Sequence, residues 1–207
     1  MATYDIRYDI STQEYEGILE GIKRIPIEND DLKCANFGCG PMIWHNWRSY
    51  DKYYQHPLVV NVDMCDETLK SDNLDIVFSS HSLEHNYFHL AKKTVLNWKR
   101  ILKVGGAIHM AIPDLENTMK IMLDERTTYE QKYSWYIYTM FGYQVSPDIP
   151  WNQRTLDDKV DPGQIHFCGF TKEWVNRFFM ENGFSIEKLV SYDGYGTPSL
   201  YVIARKN

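Results

Sequence analysis

Apolar and polar positions along the chain switch repeatedly between short runs and helical spacing. Ser11, followed three residues later by Glu14, has the form of a capping box and predicts a helix running to about Lys23. The apolar run 34–37 ends in Gly38-Cys39-Gly40-Pro41, which predicts a strand and a tight turn. Residues 58–62 and 74–78 predict further strands, the first ending at Asp63 and the second at Ser79-Ser80. Val95, Trp98, Ile101 and Leu102 form one stripe of a helix over 90–102, closed by Lys103-Val104-Gly105-Gly106 before a strand over 107–112. Asp114 opens a largely helical stretch to about Phe141, broken near Thr127, and 145–163 is the longest loop. Thr171 caps a helix ending at Gly183, and strands at 185–190 and 200–204 close the chain as an antiparallel hairpin.

Strands alternating with helices predict an α/β fold, a mostly parallel sheet with helices on both faces. In such sheets ligands bind beyond the carboxyl ends of the strands, which directs attention to the residues after Phe37, Val62, Phe78 and Ile112. The 207 residues fit a single domain, with 1–30 as an N-terminal helical extension and 127–165 as a substrate lid. A net charge of −6 disfavours a nucleic-acid backbone as partner. No apolar run is long enough to span a bilayer, and residues 1–10 lack a signal-peptide pattern. Cys34, Cys39, Cys65 and Cys168 show no pairing pattern and read as free thiols, so a reducing, cytoplasmic setting is expected.

Gly38 and Gly40 allow a ligand to approach the backbone closely. A dinucleotide fingerprint needs a third glycine where this chain has Ile43, so a cofactor with a ribose and a cation but no phosphate fits better. Here the chain resembles the class I S-adenosylmethionine-dependent methyltransferases. The matching pieces are 35–41, the strand-end acids, 75–85 (DIVFSSHSLEH), 102–106 running on to Pro113-Asp114, and 165–171 running on to Gly183-Phe184. Their order and spacing resemble the compact methyltransferases found with bacterial polysaccharide-synthesis genes. The resemblance implies a Rossmann-like fold that binds S-adenosylmethionine through Asn36, Gly38, Cys39, Gly40, Asp51, Asp63, Met64 and Ser80. Asn36 departs from the acid often found there. The ribose carboxylate is Asp63 if 42–55 is a helix. It is Asp51, with Asp63 near the adenine, if 47–51 is a short strand. The 22 residues from Asp63 to His85 leave too little room for a full helix-strand-helix layer and favour the second arrangement.

His81, Glu84 and His85 share one face if their segment is helical, and two imidazoles with a carboxylate suit a divalent ion. The pattern H-x-x-E-H also occurs in inverted zinc proteases, but there it lies in a long helix rather than after a strand and a glycine turn. It is similar as well to the E-x-x-E-H of ubiquinone-pathway and small-RNA 2′-O-methyltransferases, which bind Mg²⁺. That resemblance implies a metal set of His81, Glu84, His85 and the later His166. Histidine in place of the first glutamate shifts the expectation from Mg²⁺ toward Mn²⁺, Fe²⁺ or Zn²⁺. Without a metal, His81 or His166 is the natural general base, and Asp114 lies at the sheet edge suited equally to a substrate contact and to capping the loop. His45, His56, His89 and His109 lack such context.

The reaction implied is methyl transfer to an acceptor oxygen. A sugar hydroxyl of a glycan or glycan precursor is the first choice, with the aromatics of 129–143 and Trp151 as a stacking lid. A small phenol or quinol comes next and an RNA ribose third. A glycosyltransferase domain or partner fits the same resemblance, and a non-catalytic binding module on this fold is the reading from another class.

Overall fold

The structure, a computed structural model, describes residues 3–4, 6–28, 32–70, 74–143, 162–194 and 196–207, without the side chains of Ile27, Glu28, Ser134 and Pro162. Its strands are β1 (Cys34–Phe37), β2 (Trp47–Asp51), β3 (Val59–Asn61), β4 (Leu74–Ser80), β5 (Leu102–Pro113), β6 (Phe184–Asp193) and β7 (Pro198–Lys206). They form one sheet in the order β3-β2-β1-β4-β5-β7-β6. All neighbours from β3 through β5 pair in parallel, whereas β7 runs antiparallel to both β5 and β6. The helices are α1 (Thr12–Glu28), α2 (Phe88–Ile101), α3 (Leu115–Leu123), α4 (Tyr129–Gln131), α5 (Ile137–Phe141) and α6 (Lys172–Glu181). A π-helical turn, Lys132–Tyr136, joins α4 to α5.

Alternate residues of the central strands feed two cores, the period of two that a sheet covered on both faces requires. Ala35 and Phe37 of β1, Val77 of β4 and Ile108, Met110 and Ile112 of β5 face α2 and α6, meeting Val95, Trp98, Val175 and Phe179. Cys34, Ile76, Phe78 and Ala111 face the other way, toward Tyr15 and Ile22 of α1. Tyr15 stacks on Tyr192 there with ring centroids 4.0 Å apart. β1 is extended outward by β2 and β3 on one side, and the chain then crosses to β4 on its other side. The strand order therefore reverses between β1 and β4, which opens a crevice at their carboxyl ends.

Residues 47–51 form β2, the short strand of the favoured arrangement, while several boundaries elsewhere differ from expectation for local reasons. Trp44 and Trp47 pack against Phe78, and Tyr50 stacks on Phe37 at 4.7 Å, so tertiary aromatic contacts hold this segment extended. The capping box at Ser11 and Glu14 is present, but α1 continues past Lys23 through Pro26 to Glu28. Its final carbonyls find side-chain donors: Trp47 Nε1 reaches Lys23 O and Asn46 Nδ2 reaches Pro26 O. Residues 103–106, expected only to close α2, already belong to β5, where the β4–β5 register slips. A Cβ on Gly106 would stand 2.9 Å from Leu74 O, so only glycine lets the two strands approach there. Most of the loop expected at 145–163, with Trp151, lies outside the described residues. Among the described residues no helix is long and apolar enough to cross a membrane. All four cysteines are free.

Candidate active site

A cleft of about 690 Å³ opens at the carboxyl ends of β1, β2 and β4. One half is bounded by Gly38, Gly40, Asp51, Asp63 and Met64. His81, Glu84, His85 and His166 line the other half with Trp135, Tyr138 and Tyr143.

The glycine half is set by backbone geometry. Gly38 has φ +64°, and a Cβ there would stand 2.2 Å from Ser82 Oγ. Ser82 Oγ lies 3.0 Å from the Gly38 carbonyl and 3.0 Å from that of Ser80, locking the turn after β1 to the loop after β4. Gly40 has φ +48°, and the place its Cβ would occupy has no heavy atom within 4 Å. Its N–H donates to Asp51 Oδ2 at 2.9 Å, while Asp51 Oδ1 accepts from the N–H groups of Tyr53 and Tyr54 at 2.8 Å each. Asp51 is thus fixed at the end of β2 beside the glycine turn. Three N–H donors leave a carboxylate with further acceptor capacity. Asp63, two residues beyond β3, pairs with Lys52 Nζ at 2.9 Å and accepts from Cys65 N at 3.1 Å. Burial would raise its carboxyl, but Lys52 and Cys65 more than offset this and hold it below the usual range.

Other expected residues lie behind this wall. Asn36 is buried and its Nδ2 donates to Met42 O at 2.9 Å, bracing the turn from beneath. Cys39 is wholly buried, its thiol pushed up to about 11 by desolvation and by nearby Asp51. The Ser80 carbonyl serves Ser82 Oγ. Asp114 caps α3, accepting from Asn117 N and Nδ2, and burial raises its carboxyl. These four side chains support the cleft from outside its lining.

The histidine half is built differently. His81 follows β4 with φ +48°, a left-handed conformation that costs energy for a side chain with a Cβ. The segment expected to be helical is a short 3₁₀ turn, Leu83–His85. Glu84 is completely buried, and neither carboxylate oxygen has a hydrogen-bond partner among the described residues. His81 Nδ1 lies 3.4 Å from its Oε1 and His166 Nε2 lies 4.0 Å away. Burial alone would push Glu84 up; His81, then His85 and His166, outweigh it and hold the carboxyl at about 2. His85 Nδ1 stands 3.0 Å from Ile165 O, and His166 Nδ1 stands 3.0 Å from Thr139 O. Desolvation lowers His166, against the opposing pull of Glu84. His166 is held by its N–H to Phe141 O at 3.1 Å, while Phe167 N donates to Glu84 O at 2.8 Å. A Cβ on Gly142 would strike Gln164 O at 1.8 Å, so glycine at φ +74° is what lets these segments meet.

Within the aromatic stretch 129–143, Trp135, Tyr138 and Tyr143 line the cleft, whereas Tyr129 and Tyr133 pack together at a tilt on the exposed surface. Tyr138 stacks on Tyr143 with centroids 5.3 Å apart, and Trp135 Nε1 donates to Gly196 O at 2.8 Å. Ser82, Tyr53, Tyr54, Thr197 and Ser199 also line the cleft without having been anticipated. Ser82 sits inside the quoted 75–85 match and could have been found there. Thr197 and Ser199 arrive through the β6–β7 turn, which carries no local signal.

No protein-family model matches the sequence, and no curated protein matches it. Solved structures do. An S-adenosylmethionine-dependent methyltransferase from Clostridium acetobutylicum is 12% identical, with 96% of this chain and 93% of that one covered at a TM-score of 0.57. Magnesium protoporphyrin IX methyltransferase from Synechocystis, solved with bound SAH (S-adenosylhomocysteine), is 10% identical over 99% and 90% of the two chains at 0.55. A SAM-dependent methyltransferase from Methanosarcina mazei is 12% identical over 87% and 97% at 0.57. At such identities the likeness is one of fold: this chain has the Rossmann-like α/β fold of these methyltransferases.

Proposed function

We propose that the chain is an S-adenosylmethionine-dependent methyltransferase acting on an acceptor oxygen, a sugar hydroxyl of a glycan or glycan precursor. The carrying observation is the pairing of Gly40 with Asp51: a glycine whose missing Cβ faces open cleft, hydrogen-bonded to a carboxylate at the end of the next strand. No helix starts between Gly40 and β2, so the helix N-terminus that holds a pyrophosphate in dinucleotide folds is missing. A phosphate-free sulfonium nucleoside suits this wall. Gly38 and Gly40 would admit it against the backbone, Asp51 would accept from the ribose hydroxyls, and Asp63 and Met64 would flank the base. Bound there, the cofactor supplies an electrophilic methyl group.

The chain's own groups then orient an acceptor and take its proton. Trp135, Tyr138 and Tyr143 offer ring faces for the C–H face of a sugar, with Gln164, Thr197 and Ser199 nearby for its hydroxyls. Lys52 is the one lysine or arginine in the described lining, and it is paired with Asp63, which favours a neutral acceptor over a polyanion. Glu84 faces His81 Nδ1, leaving Nε2 of that cleft-lining side chain to receive the hydroxyl proton. On transfer the methyl–sulfur bond would break as the methyl–oxygen bond forms, releasing S-adenosylhomocysteine, and His81 Nε2 would take the proton given up by that oxygen.

Transfer of labelled methyl from S-adenosylmethionine to neutral oligosaccharides, small phenols and RNA tests the reading. The expected product is a sugar methyl ether, lost in Asp51→Ala and His81→Ala. Labelling of phenols or RNA alone would replace the acceptor, and a chain that binds the cofactor without labelling anything would be a binding module.

A further inference from the structure

Methyl transfer as proposed uses His81 but leaves a feature of the same half unexplained. Glu84 is a fully buried carboxylate with no hydrogen bond to either oxygen among the described residues, only the imidazoles of His81 and His166 at 3.4 and 4.0 Å, and burying a charge without hydrogen bonds is strongly unfavourable. We infer that Glu84, His85 and His166 form a binding site for one divalent transition-metal ion of the Mn²⁺, Fe²⁺ or Zn²⁺ kind, open toward the acceptor half of the cleft.

Three observations converge on this site. Ligand atoms from the three residues all lie within 4.8 Å of one another. Ligands bound about 2.0–2.2 Å from a metal stand roughly 3–4 Å apart, so a small closing rotation of the side chains completes the set. Second, each imidazole is already oriented. A carbonyl only accepts, so the contacts of His85 Nδ1 to Ile165 O and His166 Nδ1 to Thr139 O, both 3.0 Å, place the protons on Nδ1. Both rings therefore keep Nε2 as a lone-pair donor, an outer-shell arrangement typical of metal-binding histidines. Third, three separate backbone segments are pinned together to build it: the turn Leu83–His85, the end of α5 and residues 164–167, joined by the bonds from His166 N and Phe167 N.

Two imidazoles and one carboxylate select ions that take nitrogen as well as oxygen, whereas Mg²⁺ prefers an all-oxygen shell. Three protein ligands leave coordination positions free, and all three residues line the cleft. His81 falls outside this set, against the expectation from the H-x-x-E-H pattern, and stays beside Glu84 as its charge partner. On the methyltransferase reading, an ion here would hold two adjacent oxygens of the acceptor, selecting a vicinal diol.

Chelator-stripped full-length protein is titrated calorimetrically with Mn²⁺, Zn²⁺ and Mg²⁺, and its Co²⁺ absorption spectrum is recorded. The inference predicts one ion per chain, with Mg²⁺ binding at least roughly 100-fold more weakly than Zn²⁺. Affinity should fall at least about tenfold in His85→Gln, His166→Gln and Glu84→Gln, but not in the remote His45→Ala. Co²⁺ bands of imidazole ligation in the wild type give the answer even if a variant fails to fold. SAH binding to the stripped protein should be unchanged within about twofold, so loss of the metal claim and loss of the methyltransferase reading are separable. Absence of a stoichiometric ion, Mg²⁺ binding as tight as Zn²⁺, or ligand variants that bind like the wild type would overturn the inference.

Discussion

The two halves of the cleft are held by opposite means. Around Gly38 and Gly40 nearly everything is a backbone bond: Asp51 takes three N–H groups, and Ser82 ties two loops together. Around Glu84 the chain carries unmet demands: a buried carboxylate without a hydrogen bond among the described residues, a left-handed His81, and a π-helical turn leading to the aromatic wall. Pre-satisfied groups make a rigid receptor for a ligand of fixed shape. Strained and unpartnered groups persist only where something else offsets them, and they concentrate where chemistry is done.

The sharpest way to break this contrast is Gly38→Val. Its side chain meets Ser82 in a φ +64° conformation, so SAH affinity should drop by more than roughly 100-fold in calorimetry. Gly40→Ala places its Cβ in open cleft and should cost about tenfold while the protein stays folded. Unfolding as a function of pH tests whether the acid response arises outside both halves. His109, a half-buried residue of β5 with Nδ1 2.8 Å from the Tyr201 hydroxyl of β7, is held at about 4 against 6.5 when free, chiefly by desolvation. The unfolded chain then binds the extra proton, so stability is full above about pH 6.5 and falls by about 3 kcal/mol as pH drops toward 4. His109→Gln should flatten that slope.

The smallest effect belongs to Trp135→Ala, which should raise the acceptor KM about tenfold and leave SAH affinity alone.

Much of this architecture could be read from local pattern. The strands at 34–37, 74–78 and the closing hairpin declared themselves by apolar runs between turns, and Ser11 and Thr171 marked helix starts that the structure retains. β2 was legible only through the short span from Asp63 to His85, since its residues are held extended by Phe37 and Phe78 from other strands. Asp114 illustrates an even choice: its place at the sheet edge suited a substrate contact or a cap, and as the N-cap of α3 it is occupied by Asn117. The clustering of His85 and His166 was suggested by pattern. The carbonyls that orient their rings, from Thr139 and Ile165, depend on the fold alone and left no trace in residue spacing.

Calorimetric titration of the wild-type chain with SAH goes most directly to the central claim, that the crevice beside Gly40 and Asp51 receives the sulfonium nucleoside. The account predicts one site per chain with a dissociation constant on the order of micromolar, weakened at least about tenfold by Asp51→Ala. A folded wild-type chain that gives no binding heat at roughly a hundred times that concentration, or binding that Asp51→Ala and Gly38→Val leave untouched, would contradict it.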